Sequence, residues 1–224
     1  LNRLVTWVDA GSTVLDVGGG AGRFAIPLAK RCRQVTLVDP SAAMLETLKS
    51  AAADAGVENI TSMQASWEDA DVEPADMVLC AHVVYGVTDI EPFLRKLEEH
   101  ARKRVVIVAH TLAPVSQMAS FWKAVHGEER IKLPGLTELV PVLWGMGRFP
   151  DIEMLAATEH RGMADRGIAL EWLRRLTWVA ADSEKDRVLQ KELDAAFDGE
   201  EGAYVLRKGS SQRGIVTWLT ESQP

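Results

Sequence analysis

Seven residues near the start of the chain, Asp16-Val17-Gly18-Gly19-Gly20-Ala21-Gly22, set a carboxylate beside a run of glycines. Glycine has no Cβ, so such a run lets the backbone turn sharply and come close to a bound molecule. A helix beginning directly after the turn presents unpaired N–H groups to a polar or anionic ligand end. A second carboxylate, Asp39, follows twenty-one residues after Gly18. At the end of a second strand, that spacing suits a carboxylate accepting hydrogen bonds from both hydroxyls of a ribose. The chemistry on offer is the binding of a nucleoside-bearing cofactor. Cys80, His82, Tyr85 and His110 follow as groups with proton or nucleophile chemistry, and His126 stands further off.

These residues need a scaffold, and the hydrophobic pattern supplies one. Residues 13–17 read as a buried strand, followed by the glycine turn and a helix over about 23–31. Residues 35–38 form a second strand ending at Asp39. Pro40-Ser41 then opens a helix with Met44, Leu45, Leu48 and Ala52 on one face, Ser41 as its N-cap and Gly56 as its stop. Residues 60–64, 77–80 and 105–109 continue as strands. The helix over 90–100 buries Ile90, Phe93, Leu94 and Leu97. Alternating strands and helices predict a parallel sheet covered on both faces. Beyond Thr111 the rhythm changes to helices over about 116–128, 137–146, 170–180 and 184–197, around a strand at 152–159. A last strand occupies 214–219. The expected architecture is a Rossmann-like, doubly wound α/β fold. Its seven-stranded sheet is mostly parallel, with helices on both faces and a helical insertion in the C-terminal half. The chain reads as one domain, with a cofactor-binding core at 1–111, an insertion at 112–198 and a closing strand region at 199–224. In such sheets ligands bind at the carboxyl ends of the strands, where Gly18, Asp39, Ser66, Cys80 and His110 fall.

The glycine pattern narrows the nucleoside. A dinucleotide site has the form G-x-G-x-x-G, whereas this chain has Gly18, Gly20 and Gly22, with Arg23 where the third dinucleotide glycine belongs. The stretch 14–23, the stretch 35–41 followed by Met44-Leu45, and the strands at 75–81 and 105–110 together resemble the class I methyltransferase family. The likeness covers residues 4–110 and implies S-adenosylmethionine as cofactor. Carried over by position, Gly18, Gly19 and Gly20 would face the methionine moiety while Asp16 orients the loop. Asp39, with Pro40 after it, would hold the ribose, and Met44 would pack on the adenine. Ala65, Ser66 and Trp67 follow the third strand, where the family often has an acid that reads the adenine amino group. Ser66 departs from that pattern, which shifts adenine recognition to backbone groups and to Glu68 or Asp69. Cys80 to His82 would line the cofactor carboxylate and methyl group. The resemblance also implies in-line methyl transfer to a small-molecule acceptor, with Tyr85, His82 and His110 as candidate catalytic residues.

Composition bounds the rest. The 224 residues carry a formal net charge of −7, which argues against a nucleic-acid backbone as the main partner. Cys32 and Cys80 show no disulfide or metal-ligand spacing, and the reading is a cytoplasmic monomer or homodimer. No apolar run has the length of a membrane span. The chain starts at Leu1, so an N-terminal piece is expected to precede it. Trp122, Trp144, Trp172 and Trp178, with Met118, Met146 and Met154, read either as the packing of the inserted helices or as a lid over an apolar or aromatic acceptor. Two rival readings are a nucleotide-cofactor oxidoreductase, which lacks its third glycine and a Tyr-x-x-x-Lys pattern, and a methyltransferase-like binding module without catalysis.

Overall fold

A computed structural model describes residues 2–155, 163–199, 204–206 and 212–220. In chain order the elements are β1 (Thr13–Val17), α1 (Ala25–Ala29), β2 (Gln34–Val38), α2 (Ala42–Asp54), β3 (Ile60–Met63), β4 (Ala75–Ala81), α3 (Ile90–Glu99) and β5 (Ala101–His110). They continue with α4 (Ala119–His126), α5 (Leu136–Gly145), β6 (Asp151–Met154), α6 (Arg166–Thr177), α7 (Glu184–Ala196), β7 (Phe197–Asp198), β8 (Val205–Leu206) and β9 (Arg213–Leu219). The chain divides into two compact units: Leu1–Ala109 with Glu138–Glu153 and Gly214–Pro224, and His110–Thr137 with Met154–Arg213.

The first unit is built on the seven-stranded sheet, in the order β3-β2-β1-β4-β5-β9-β6. The pairings β1–β2, β1–β4, β2–β3 and β4–β5 are all parallel. Central strands of such a sheet are covered on both faces and therefore read as continuous apolar runs. Val35, Leu37 and Val38 on β2, Val78 to Cys80 on β4 and Val105 to Ala109 on β5 are accordingly buried. β9 runs against β5. Thr220 N donates to Lys103 O and Thr111 N to Gln212 O, so one strand advances as the other retreats. The mostly parallel, Rossmann-like α/β sheet is therefore present.

Local chemistry explains where elements begin and end. Ser41 caps α2 by accepting from Met44 N, and Gly56, at φ +63°, stops the helix. α1 is shorter than the 23–31 expectation, because the glycine turn runs on through Gly22 at φ +81°. Pro27 fits in its first turn, where an N–H would have no helical partner. Ile90 is only half-buried on α3, while Phe93, Leu94 and Leu97 are in the core. Met44 is 48% exposed, so the inward face of α2 is carried by Leu48 and Ala52.

In the second unit α4, α6 and α7 enclose an apolar core containing Phe121, Val125, Leu173, Leu189 and Leu193. Arg174 holds Asp186 with Nε at 2.8 Å and Nη2 at 2.6 Å. That guanidinium lowers the fully buried Asp186 carboxyl to about 2. The helix expected over 116–128 divides into a 3-10 turn, Pro114–Met118, and α4, which ends at Gly127 at φ +76°. β7 and β8 pair antiparallel, a ladder the hydrophobic pattern did not announce because each strand is two residues long. Phe197, expected as a helix end, is extended there, with its ring stacked on Tyr204 at 5.3 Å. Of the strand expected at 152–159, residues 156–159 lie outside the described residues.

Candidate functional site

β1 and β2 end side by side, so the glycine loop and Asp39 meet at one edge of the sheet. Gly18 N donates to Val38 O at 2.7 Å, and Gly18, Gly20 and Gly22 have φ of +68°, +53° and +81°. Side-chain space separates their roles. A Cβ would lie 2.4 Å from Val83 Cγ2 on Gly18, 2.5 Å from Leu37 Cδ1 on Gly19 and 2.3 Å from Leu48 Cδ1 on Gly22. On Gly20 the nearest heavy atom would be Asp39 Oδ2 at 3.9 Å. Three glycines therefore let the protein close on itself, and Gly20 leaves bare backbone facing open space.

This contrast yields a prediction. Gly22→Ala should lose roughly 2–5 kcal/mol of stability, from overpacking and a strained left-handed backbone. Gly20→Ala should cost only about 1–2 kcal/mol of that strain, yet weaken binding of any ligand laid against the loop's bare face. Thermal unfolding and calorimetry read the two effects separately. A Gly20→Ala protein that binds like the parent would assign Gly20 to loop geometry alone.

Asp39 is only 8% exposed. Its Oδ2 accepts from Gly20 N and its Oδ1 from Ser41 N, each at 2.9 Å. The carboxylate thus ties the loop to the start of α2. Each oxygen keeps a further acceptor site, because a carboxylate has about four lone-pair positions.

Asp16 sits on β1 between Leu37 of β2 and Leu79 of β4. It is 1% exposed, and neither carboxyl oxygen makes a well-formed hydrogen bond among the described residues, the Ala25 amide being the one donor directed at it. Burial first, then the nearby charge of Asp39, pushes its pKa up to about 7 against a smaller lowering by that amide. A buried carboxyl so weakly partnered is costly unless a ligand completes it. Cys80 pairs with Val17 at the end of β4 and is fully buried. Burial, and then Asp16, push its thiol well up, so it serves as a neutral wall rather than a thiolate.

Just past β4, His82 has φ +64° and donates its N–H to Val108 O at 2.8 Å. Its Nδ1 lies 3.1 Å from the Tyr85 hydroxyl, and its ring faces Phe24 with centroids 6.3 Å apart. Phe24, directly after the loop, and Val83, against Gly18, are neighbours that sequence reasoning missed; the place of Phe24 after the glycines was the one available signal. His110 ends β5, two residues beyond Val108, which pairs with Ala81.

The residues after β3 divide. Ser66 Oγ donates to Asp69 Oδ2 at 2.7 Å and accepts from Asp69 N, capping a short turn. The Trp67 indole is 4% exposed and turned toward α3, with Nε1 donating to Phe93 O at 3.4 Å and Lys96 Nζ 4.9 Å above the ring. Ala65 is half-buried beside them. Pro40 is exposed next to Asp39, its carbonyl accepting from Gln64 Nε2 at 3.4 Å, and Met44 is exposed on the first turn of α2.

A parallel sheet with a bare-backbone loop after β1 and a carboxylate after β2 defines a Rossmann-like class of protein. Residues 14–104 match the family model described as a methyltransferase domain. An uncharacterized protein of Haemophilus influenzae is 36% identical over 106 residues, 46% of this chain and 39% of its own length. A ubiquinone biosynthesis O-methyltransferase of Rickettsia conorii is 31% identical over 100 residues, 44% of this chain and 34% of its own. The chain thus spans well under half the length of these curated relatives. The crystal structure of the YcgJ protein from Bacillus subtilis shares the fold, with a TM-score of 0.66 at 16% identity over 99% of this chain and 98% of that one.

Proposed function

We propose that the protein is an S-adenosylmethionine-dependent methyltransferase acting on a small-molecule acceptor. The observation that carries this reading is the Asp39 carboxylate bonded to Gly20 N and Ser41 N beside a loop whose bare face opens at Gly20. The cofactor would fit here in three ways. Asp39 would accept from the ribose hydroxyls, Gly18 to Gly20 would run along the methionine moiety, and the weakly partnered Asp16 carboxyl would complement the charge of an ammonium nearby. Met44 offers an apolar surface for the adenine, and Ser66, with Asp69, a polar edge. When bound, the cofactor supplies a sulfonium methyl group that is already activated for displacement. The protein's task is then to hold an acceptor in line and exclude water, which is worth about 7–11 kcal/mol of barrier in well-oriented reactions. Tyr85, His82 and His110 are proposed to face the acceptor. The division into 1–111, 112–198 and 199–224 is proposed as the organisation of the chain.

Among the described residues no helix is long and apolar enough to cross a membrane. Both cysteines are free and buried, which supports a reducing, cytoplasmic setting as part of the same proposal. The net charge of −7 favours a small acceptor over nucleic acid. Calorimetry with S-adenosylmethionine, S-adenosylhomocysteine and NAD tests the cofactor. Binding of NAD in place of the other two would favour the oxidoreductase reading, and cofactor binding with no turnover in a methyl-donor screen would favour a non-catalytic module.

A further inference from the structure

Building on the methyl-transfer reading, we propose that Tyr85 is the catalytic residue of a proton relay with His82 as its positioning partner, and that the acceptor is a hydroxyl compound of phenol-like acidity. His82 is a non-glycine residue at φ +64°, a conformation costing on the order of 1–2 kcal/mol for a residue with a Cβ. Such strain persists where surrounding structure enforces it, and it concentrates at functional sites. Here the bond from His82 N to Val108 O fixes the backbone at the carboxyl end of β4. The next residue, Val83, packs against Gly18 of the loop. The strained turn is therefore part of the same edge of the sheet as the cofactor loop.

The strain has a consequence for the side chain. It places the imidazole between Phe24, at 6.3 Å, and Tyr85, at 6.4 Å with the rings 23° from parallel. In that position Nδ1 meets the Tyr85 hydroxyl at 3.1 Å. With the neutral ring protonated at Nε2, Tyr85 donates to Nδ1 and its oxygen becomes the better acceptor. A tyrosine alone has a pKa of about 10 and is a poor base at neutral pH, whereas imidazole, at about 6.5, is well matched. The relay joins the two. The acceptor's hydroxyl proton passes to the Tyr85 oxygen while Tyr85's own proton passes to His82 Nδ1. The acceptor oxygen keeps the electron pair and bonds the methyl carbon, and the donor sulfur retains the pair of the bond that breaks. The products are the methyl ether, S-adenosylhomocysteine and a His82 imidazolium that later releases its proton to solvent. A neutral amine needs no proton removed before it attacks, and a thiol ionises readily at about 8.5. Of these three nucleophiles a hydroxyl gains most from such a relay, and one of phenol-like acidity is close enough to imidazole for the transfer to be completed.

Two measurements decide the proposal. In a Tyr204→Phe background Tyr85 is the one remaining tyrosine of the two in the chain. With ring-labelled tyrosine, its Cζ resonance should move as His82 gains its proton on acidification, and stop moving in His82→Gln. Asp16, Asp39 and Cys80 on the neighbouring strands remain in both proteins, so the difference isolates His82. A resonance that stays flat, or still moves in His82→Gln, would overturn the dyad. For the acceptor class, turnover is followed with catechol, aniline and thiophenol as probes. Catechol should be preferred, and its kcat should fall on the order of 10²–10⁴-fold in His82→Gly. Glycine accepts φ +64° without strain, so this variant should stay folded, and added imidazole should restore part of the rate. Preference for aniline or thiophenol, turnover of none of the three, or an unimpaired His82→Gly would overturn the assignment. S-adenosylhomocysteine affinity of the unsubstituted protein, measured separately, reports on the underlying methyl-transfer reading.

Discussion

Asp39→Ala should weaken S-adenosylhomocysteine binding on the order of 10²–10⁴-fold. A hydrogen bond to a charged group contributes about 1.5–3 kcal/mol, and the ribose diol would lose two of them. The effect does not stop at the sugar. Asp39 also accepts from Gly20 N and Ser41 N, so its removal leaves two amides at the loop and at the start of α2 without their partner. Some of the lost affinity will therefore appear as a looser loop, visible as a lowered melting temperature in the ligand-free protein. Asp39→Asn should not rescue binding. Its NH₂ group would face one of the two amides, donor against donor. Titration calorimetry on variants shown to be folded is the measurement, and undiminished uptake by Asp39→Ala would remove the basis for the nucleoside site.

The second large effect is on stability as a function of pH. Folding raises Asp16 from an unfolded-state value of about 3.9 to about 7, by burial first and by the charge of Asp39 second. Between those two values the folded chain holds a proton that the unfolded chain has released. Stability contributed by the protonated form is present below about pH 4 and declines as pH rises. The decline ends once the pH passes about 7. The integrated loss is on the order of 4 kcal/mol. Asp16→Asn is neutral throughout, so it should flatten this slope and be more stable than the parent at pH 8. Denaturant melts at pH 5 and pH 8 on both proteins make the comparison; equal slopes would mean that Asp16 does not titrate in this range. Under the proposed function the same variant should bind cofactor less well, because an amide cannot balance an ammonium. Stability gained at pH 8 together with affinity lost would be the signature of a carboxylate kept for its ligand.

Much of the fold and of the loop is legible in the sequence. Gly18, Gly20 and Asp39 were identified by type and spacing, and the structure joins them through the bond from Gly20 N to Asp39 Oδ2. The strands of the first half were legible because buried parallel strands are apolar on both faces. Ser41 and Gly56 marked the ends of α2 because caps and stops are local chemistry. Other features were not legible. Trp67 looked equally suited to wall or core, and only the position of α3 shows its indole bonded to Phe93 O. Met44 shared a helical stripe with Leu48, yet lies exposed on the first turn.

The amino-acid sequence by itself determined the alternation of elements, the turn that needs bare backbone and the carboxylate spaced to serve it. All of these depend on residues close together along the chain. The tertiary structure alone decided the insertion of β9 beside β5, the isolation of the Asp16 carboxyl and the meeting of Phe24, His82 and Tyr85 beside the loop. Each of those depends on which distant segments the folded sheet brings into contact, and on how much water that contact excludes, quantities that no local spacing encodes.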